Sequence, residues 1–83
     1  DKLPNLFNVG VLVLKKLDDP KTQAKDLAKI ISIDQALTTQ ILKVCNSAQY
    51  GFHRKISNLQ EAITKLGFKT LKSIVFVSIS QGV

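Results

Sequence analysis

The stretch from residue 42 to residue 67 constrains the fold of this 83-residue chain more than any other part. Its sequence, LKVCNSAQYGFHRKISNLQEAITKLG, indicates the end of one amphipathic helix, a tight polar loop and a second, capped helix. Ser57 and Gln60 have the spacing of a capping box, in which two side chains satisfy backbone N–H groups at a helix start. Gly67 suits the left-handed position that commonly ends a helix. The stretch therefore predicts two helices joined by a loop around Gly51.

Apolar residues that recur at helical spacing predict further helices on both sides of this stretch. The first helix covers about residues 5–17, the second is capped by Thr22, and the third runs from the N-cap Asp34 to Ala48. A fifth helix begins near Lys69. The prediction is an all-α fold, a compact bundle of about five short helices. The residues expected to face its core are Leu6, Val9, Val13, Leu14, Leu17, Ala24, Leu27, Ala28, Ile31, Leu37, Ile41, Val44, Cys45, Ala48, Leu59, Ala62, Ile63 and Leu66.

The last helical stretch, residues 71–79, is apolar on nearly every side. A helix of that kind is normally buried all round, and a chain of 83 residues can hardly surround it. The chain also begins with Asp1 and contains no Met. We therefore expect either a part of a larger domain or a chain that buries its last helix against a protein partner, and the sequence leaves both open.

Basic residues predominate in this chain, with twelve Lys and Arg against six Asp and Glu and a net charge of +6. An excess of this kind attracts polyanions, so nucleic acid stays among the candidate partners. Between residues 54 and 72 Glu61 is the one acidic residue among five basic ones. Such a cluster is usually a solvated face, and the alternative is a patch that binds an anion such as a nucleotide second messenger. Its members are Arg54, Lys55, Lys65, Lys69 and Lys72.

The residue types of a catalytic centre are scarce. A metal-dependent phosphohydrolase needs several His and Asp ligands around a divalent cation, and this chain has one histidine, His53, in the polar loop. Cys45 is the one cysteine, and we expect a buried apolar thiol. We therefore predict no enzyme activity, no metal and no cofactor. The longest apolar runs are far shorter than the roughly 20 residues of a membrane helix, so we also predict a cytoplasmic location without membrane contact.

DNA binding is the main alternative. Residues 26–44 have the spacing of a helix-turn-helix, whose core positions would be taken by Leu27, Ala28, Ile31, Ile33 and Ile41. The second helix of this motif would offer Gln35, Thr38, Thr39 and Lys43 to a groove of DNA, because such side chains contact base edges and phosphates. That helix carries a single cation and begins after Asp34, which suits a polyanion poorly.

A series of short motifs extends along nearly the whole chain. In order, these are Leu3-Pro4, Asp18-Asp19-Pro20, Asp26-Leu27-Ala28, Ile33-Asp34-x-Ala36-Leu37, Asn46-Ser47-Ala48-x-Tyr50-Gly51 and Ile56-Ser57-Asn58-Leu59-Gln60-Glu61-Ala62-Ile63-x-x-Leu66-Gly67. The series resembles the HDOD domain, an all-helical bacterial signalling module related to the HD metal-dependent phosphohydrolases. HDOD domains are longer than this chain, so the resemblance implies that residues 1–83 form the N-terminal portion of one such domain.

The resemblance also implies a function. HDOD domains are noncatalytic output modules of bacterial signal transduction and are often joined to receiver or cyclic-dinucleotide-turnover domains. We therefore expect a regulatory module that acts by protein–protein contact, through a partner or the remainder of its own domain on the apolar C-terminal helix. A ligand pocket at the signature loop is the alternative to an architectural role for it. The signature residues carried over by position are Asn46, Ser47, Tyr50, Gly51, Ser57 and Gly67.

Overall fold

A computed structural model of the chain describes residues 6–47 and 55–81. Over these residues the chain forms five α-helices and no β-strand, so the predicted all-α bundle is confirmed. None of these helices is long and apolar enough to cross a lipid bilayer. The helices are α1 (Leu6–Leu17), α2 (Ala24–Ile31), α3 (Gln35–Cys45), α4 (Leu59–Leu66) and α5 (Phe68–Gln81).

The apolar stripes of the helices meet in one core. Helix α4 packs against α2, α3 and α5, while α1 packs against α2, α3 and α5. Burial of one large aliphatic side chain is worth about 1.5–3 kcal/mol, so these shared contacts hold the short helices in place. The predicted core residues among the described side chains are buried or partly buried against this core. The apolar residues buried in addition to the predicted set are Ile56, Leu71, Ile74 and Val75.

Helices α1 and α5 come into close contact at Gly10. A Cβ atom at this position would lie 2.7 Å from Cγ1 and 2.8 Å from Cδ1 of Ile79, and 3.5 Å from Cγ1 of Val75. Real Cβ atoms do not come within 3.0 Å of another heavy atom. The missing side chain of Gly10 therefore lets α5 lie against α1.

The start of α2 differs from the prediction by one residue. Gln23 rather than Thr22 is the N-cap residue, and the carboxylate of Asp26 accepts the backbone N–H of Gln23 at 3.0 Å. The N–H of Thr22 donates to the carbonyl oxygen of Asp19, so Thr22 belongs to the turn that follows α1. At α3 the prediction is confirmed, because the carboxylate of Asp34 accepts the N–H of Leu37 at 3.0 Å.

The start of α4 also lies one residue later than predicted. Asn58 is the N-cap, and its side-chain oxygen accepts the N–H of Glu61 at 2.9 Å. The proposed box of Ser57 and Gln60 was therefore wrong in register. Asn and Ser are about equally good N-cap residues, so the pair Ser57-Asn58 did not determine which of them would cap the helix.

Gly67 ends α4 and directly precedes α5. Its φ of 86° confirms the predicted left-handed φ, but its ψ of 156° is extended and not that of a left-handed helical turn. The N–H of Gly67 donates to the carbonyl oxygen of Ile63 at 2.9 Å, and its own carbonyl accepts the N–H of Leu71 at 3.0 Å. This conformation is essentially restricted to glycine. It lets α5 begin at Phe68, one residue earlier than predicted.

Helix α5 is only partly covered by the other helices. Leu71 and Val75 are fully buried, whereas Phe76 and Val77 are 53% and 50% exposed. The expectation that so short a chain cannot surround this helix is confirmed. Apolar surface of α5 therefore remains open at Phe76 and Val77.

Candidate functional site

The side chain of Asn46 joins the end of α3 to the segment that precedes α4. Its Nδ2 group donates to the carbonyl oxygen of Leu42 at 3.0 Å and to that of Ile56 at 2.7 Å. Its Oδ1 atom accepts the backbone N–H of Ile56, also at 2.7 Å. The carboxamide therefore pairs with both backbone groups of a residue ten positions further along the chain. Asn46 therefore binds backbone groups both within α3 and in the segment before α4.

The other described signature residues lie at separate positions: Ser47 next to Asn46, Ser57 before α4 and Gly67 at the end of α4. The backbone N–H of Ser47 donates to the carbonyl oxygen of Val44 at 3.1 Å. Ser57 is exposed in the segment before α4, and Gly67 lies at the opposite end of that helix. Tyr50 and Gly51 lie outside the described residues. Whether the loop also forms a ligand pocket stays a prediction.

Helix α3 presents several of the residues proposed to contact DNA. Gln35, Thr39 and Lys43 are exposed, whereas the hydroxyl of Thr38 donates to the carbonyl oxygen of Ile31 at 3.0 Å. Ile33 was expected in the core of a helix-turn-helix, and this was wrong because it is 64% exposed. The turn between α2 and α3 directs Asp34 inward as the helix cap and leaves Ile33 facing outward.

An open groove with two lysines lies between α3 and the segment before α4. Its volume is about 540 Å³. Thr39 and Lys43 lie one helical turn apart on α3, and Lys55 and Ser57 lie across from them. We call it the lysine groove, and its described lining residues are Thr39, Leu42, Lys43, Asn46, Lys55, Ile56 and Ser57.

A second, more apolar groove lies between α3 and α5. Its volume is about 200 Å³. The exposed side chain of Val77 lies at this groove, and the exposed Phe76 is its neighbour on α5. We call it the α3–α5 groove, and its described lining residues are Gln40, Val44, Thr70, Ser73, Ile74 and Val77.

The predicted basic cluster is spread over both ends of α4. Lys55 precedes the helix and contributes to the lysine groove. Lys65 lies in the last turn of α4, while Lys69 and Lys72 follow in the first turns of α5. All four are exposed, and Arg54 lies outside the described residues. The structure therefore pairs Lys55 with Lys43, which was not part of the predicted cluster. An anion-binding role for the cluster stays a prediction.

Cys45 is buried at the end of α3, as the sequence predicted. Burial raises the pKa of its thiol above the ordinary value, the negative charge of Glu61 raises it further, and the positive charge of Lys65 acts in the opposite direction. A thiol that keeps its proton is a poor nucleophile. Among residues 6–47 and 55–81 no three His, Cys, Asp or Glu side chains are grouped to hold a metal ion.

Comparison with known proteins places these features in a family. The family model of the HDOD domain matches residues 3–83. The chain belongs to the HDOD domain family. An uncharacterized protein of Treponema pallidum (strain Nichols) is 29% identical over 76 residues, which cover 92% of this chain and 15% of that protein. The uncharacterized protein YuxH of Bacillus subtilis (strain 168) is 32% identical over 65 residues, which cover 78% of this chain and 16% of YuxH.

This HDOD chain thus spans about one sixth of the length of the two curated relatives. No solved structure matches it. The predicted family is confirmed. The matched region is a small part of each longer protein, so the match shows the family but not the activity or partners of the whole protein.

Sequence reasoning missed both grooves. Lys43 and Lys55 are twelve positions apart, and they line one groove because Asn46 fixes the segment around Ile56 beside α3. The available signal was the alternation around Ile56, which is buried between the exposed Lys55 and Ser57. For the α3–α5 groove, the available sequence signal was the excess of apolar residues on α5.

Proposed function

We propose that this HDOD chain is part of a noncatalytic bacterial signal-transduction module that regulates its target through protein–protein contact. The observation that carries the proposal is the exposed side chain of Val77 at the α3–α5 groove, together with the exposed Phe76 next to it on α5. Exposed apolar surface next to a groove is typical of sites that bind another protein. A cytoplasmic location stays part of the same prediction.

Burial of Phe76 and Val77 would provide a driving force for such a contact. Complete burial of one Phe or Val side chain is worth about 1.5–3 kcal/mol, and each of these side chains is about half buried already. A partner that covers both would therefore gain about 2 kcal/mol before other contacts are counted. An amphipathic helix with apolar residues at every third or fourth position suits a groove between two helices.

The noncatalytic part of the proposal is supported by what the acidic side chains do in the fold. The carboxylates of Asp19, Asp26 and Asp34 accept backbone N–H groups of Lys21, Gln23 and Leu37. These bonds assign a structural role to three of the acidic groups that general acid–base catalysis would require. Cys45 is buried, and burial raises the pKa of its thiol, which supports a structural role for it as well.

The contact can be tested in the full-length protein with a photo-crosslinking amino acid at Val77. The captured protein would be identified, purified and titrated against the full-length protein by calorimetry. We expect Phe76→Glu to weaken binding about tenfold or more, because it places a charge in an apolar contact. Leu12→Glu is the matched control, since Leu12 is an exposed leucine on α1.

Two results would decide against this surface as the contact. One is an equal loss of affinity with Leu12→Glu and Phe76→Glu. The other is crosslinking from Val77 only to the same polypeptide, which would show that the rest of the protein covers α5. Phosphatase and phosphodiesterase assays on the full-length protein test the noncatalytic part, and turnover abolished by substitutions within residues 9–47 or 55–80 would contradict it.

DNA binding is retained as a second candidate because α3 exposes Gln35, Thr39 and Lys43. This function predicts association with duplex DNA that weakens steeply as salt concentration rises. Titration of labelled duplex DNA at two ionic strengths distinguishes the two functions. A steep salt dependence that is lost with Lys43→Ala would favour DNA binding over the proposed contact.

A further inference from the structure

We infer that the lysine groove binds an organic phosphate of nucleotide size. This inference concerns a different surface from the α3–α5 groove and does not depend on the proposed protein–protein contact. It begins with the geometry of the two walls. Thr39 and Lys43 are four residues apart on α3 and share one face of the helix. Lys55 and Ser57 are exposed on either side of the buried Ile56, and both line the groove.

The charge of the groove is one-sided. Its described lining contains two ammonium groups and no carboxylate. An anion in this groove would be attracted by both ammonium groups. The hydroxyls of Thr39 and Ser57 can donate hydrogen bonds to the same anion.

The floor of the groove defines the remainder of the ligand. Leu42 is apolar and partly exposed, whereas Ile56 is 1% exposed and adds almost no accessible surface. The site therefore offers a phosphate-binding rim of lysines above the apolar side chain of Leu42. Asn46 is not available as a ligand, since its carboxamide already bonds to the backbone of Leu42 and Ile56. The groove volume of about 540 Å³ lies within the range of small-molecule sites. A nucleotide matches both the rim and the floor, because its phosphate can bind the lysines and its flat, partly apolar ring system can lie on the apolar floor.

Binding can be measured by calorimetry on the full-length protein with ATP, the four nucleoside monophosphates, inorganic phosphate and a short duplex DNA as separate probes. The test variant is Lys43→Gln/Lys55→Gln. The control is Lys69→Gln/Lys72→Gln, which removes the same charge from two exposed lysines on α5. We expect at least one nucleotide to bind, with an affinity reduced about tenfold or more in the test variant and less than about twofold in the control.

A second measurement locates the site directly. Mild acetylation of lysines followed by mass spectrometry should show that the bound nucleotide protects Lys43 and Lys55 but leaves Lys69 and Lys72 reactive. Three results would overturn the inference: no binding of any nucleotide at millimolar concentration, equal losses in both double variants, or binding of duplex DNA alone. Equal binding of inorganic phosphate and nucleotides would contradict the role assigned to the apolar floor.

Discussion

Asn46 and Ile56 form a closed pair of hydrogen bonds, in which one side chain binds both backbone groups of one residue at 2.7 Å each. The arrangement resembles the pairing of two strands, with a carboxamide in place of one backbone. It holds the segment before α4 against the end of α3. Ile56 is thereby kept in the core at 1% exposure, while Lys55 and Ser57 remain outside.

We expect Asn46→Ala to lower the free energy of unfolding by about 1–3 kcal/mol, because it leaves the backbone groups of Ile56 without a partner. Asn46→Asp should be at least as harmful at neutral pH, since a carboxylate cannot donate to the carbonyl oxygens of Leu42 and Ile56. Urea denaturation of the purified chain, followed by far-ultraviolet circular dichroism, measures both. An Asp variant as stable as the wild type would show that these bonds contribute little.

The contact of Gly10 with Ile79 predicts that Gly10→Ala lowers stability in the wild type but raises it when the Ile79 side chain is shortened. Gly10→Ala should be destabilising by about 1 kcal/mol, because overpacking costs about 1–3 kcal/mol and better helix propensity offsets up to about 1 kcal/mol of this. In the background of Ile79→Ala the obstructing Cγ1 and Cδ1 atoms are absent. There Gly10→Ala should be stabilising. A double-mutant cycle by urea denaturation measures the coupling, and additive effects would contradict the close approach of α1 and α5.

Gly67 is predicted to resist replacement for a reason that involves backbone conformation alone. No heavy atom lies within 4 Å of the position that its Cβ would take, so steric overlap does not contribute. A residue with a side chain is strained at φ 86° and ψ 156° by about 1–3 kcal/mol. We expect Gly67→Asn to be as destabilising as Gly67→Ala in thermal unfolding. Asn tolerates the left-handed helical region, so a clear rescue by Asn would show that ψ is helical in solution.

The buried thiol of Cys45 predicts a pH dependence. Its pKa is raised in the folded state by burial, with Glu61 adding to the effect, whereas an unfolded thiol has a pKa of about 8.5. The unfolded state therefore loses its proton first as the pH rises. The stability that depends on the protonated thiol is complete below about pH 8 and falls as the pH rises from there towards the folded pKa.

The comparison that isolates this effect uses Cys45→Ala. Its unfolding free energy should be lower than that of the wild type at neutral pH, because a buried sulfur is lost. Between about pH 8 and pH 10 its unfolding free energy should decline less steeply than that of the wild type. The wild-type thiol should also react with a disulfide reagent slowly when folded and rapidly in urea. Identical slopes for the two proteins would contradict a raised pKa.

Much of the fold was predictable because each helix carries its own apolar stripe. Leu27 and Ile31 on α2 and Ala62, Ile63 and Leu66 on α4 are buried as their spacing indicated. Cap positions were predicted less well. Thr22 and Gln23, or Ser57 and Asn58, are adjacent polar residues, and hydrogen bonds to Asp26 and Glu61 determine which one caps the helix.

The grooves could not be predicted, because they depend on how separate helices pack. Helical periodicity describes one element at a time, so it places Lys43 and Val44 on α3 without indicating what lies opposite. The position of Lys55 depends on the Asn46–Ile56 pair, and that of Val77 depends on how closely α5 lies against α1 at Gly10. The signature around Asn46 was recognisable as a motif, but its role in shaping the lysine groove required the structure.

Helix α3 is a wall of both grooves. Thr39 and Lys43 face one of them, and Gln40 and Val44 face the other, since consecutive residues on a helix are about 100° apart. A small rotation of α3 about its axis would widen one of the two grooves and narrow the other. A small molecule and a protein that each prefer a different rotation of α3 would then influence each other's affinity to the same extent.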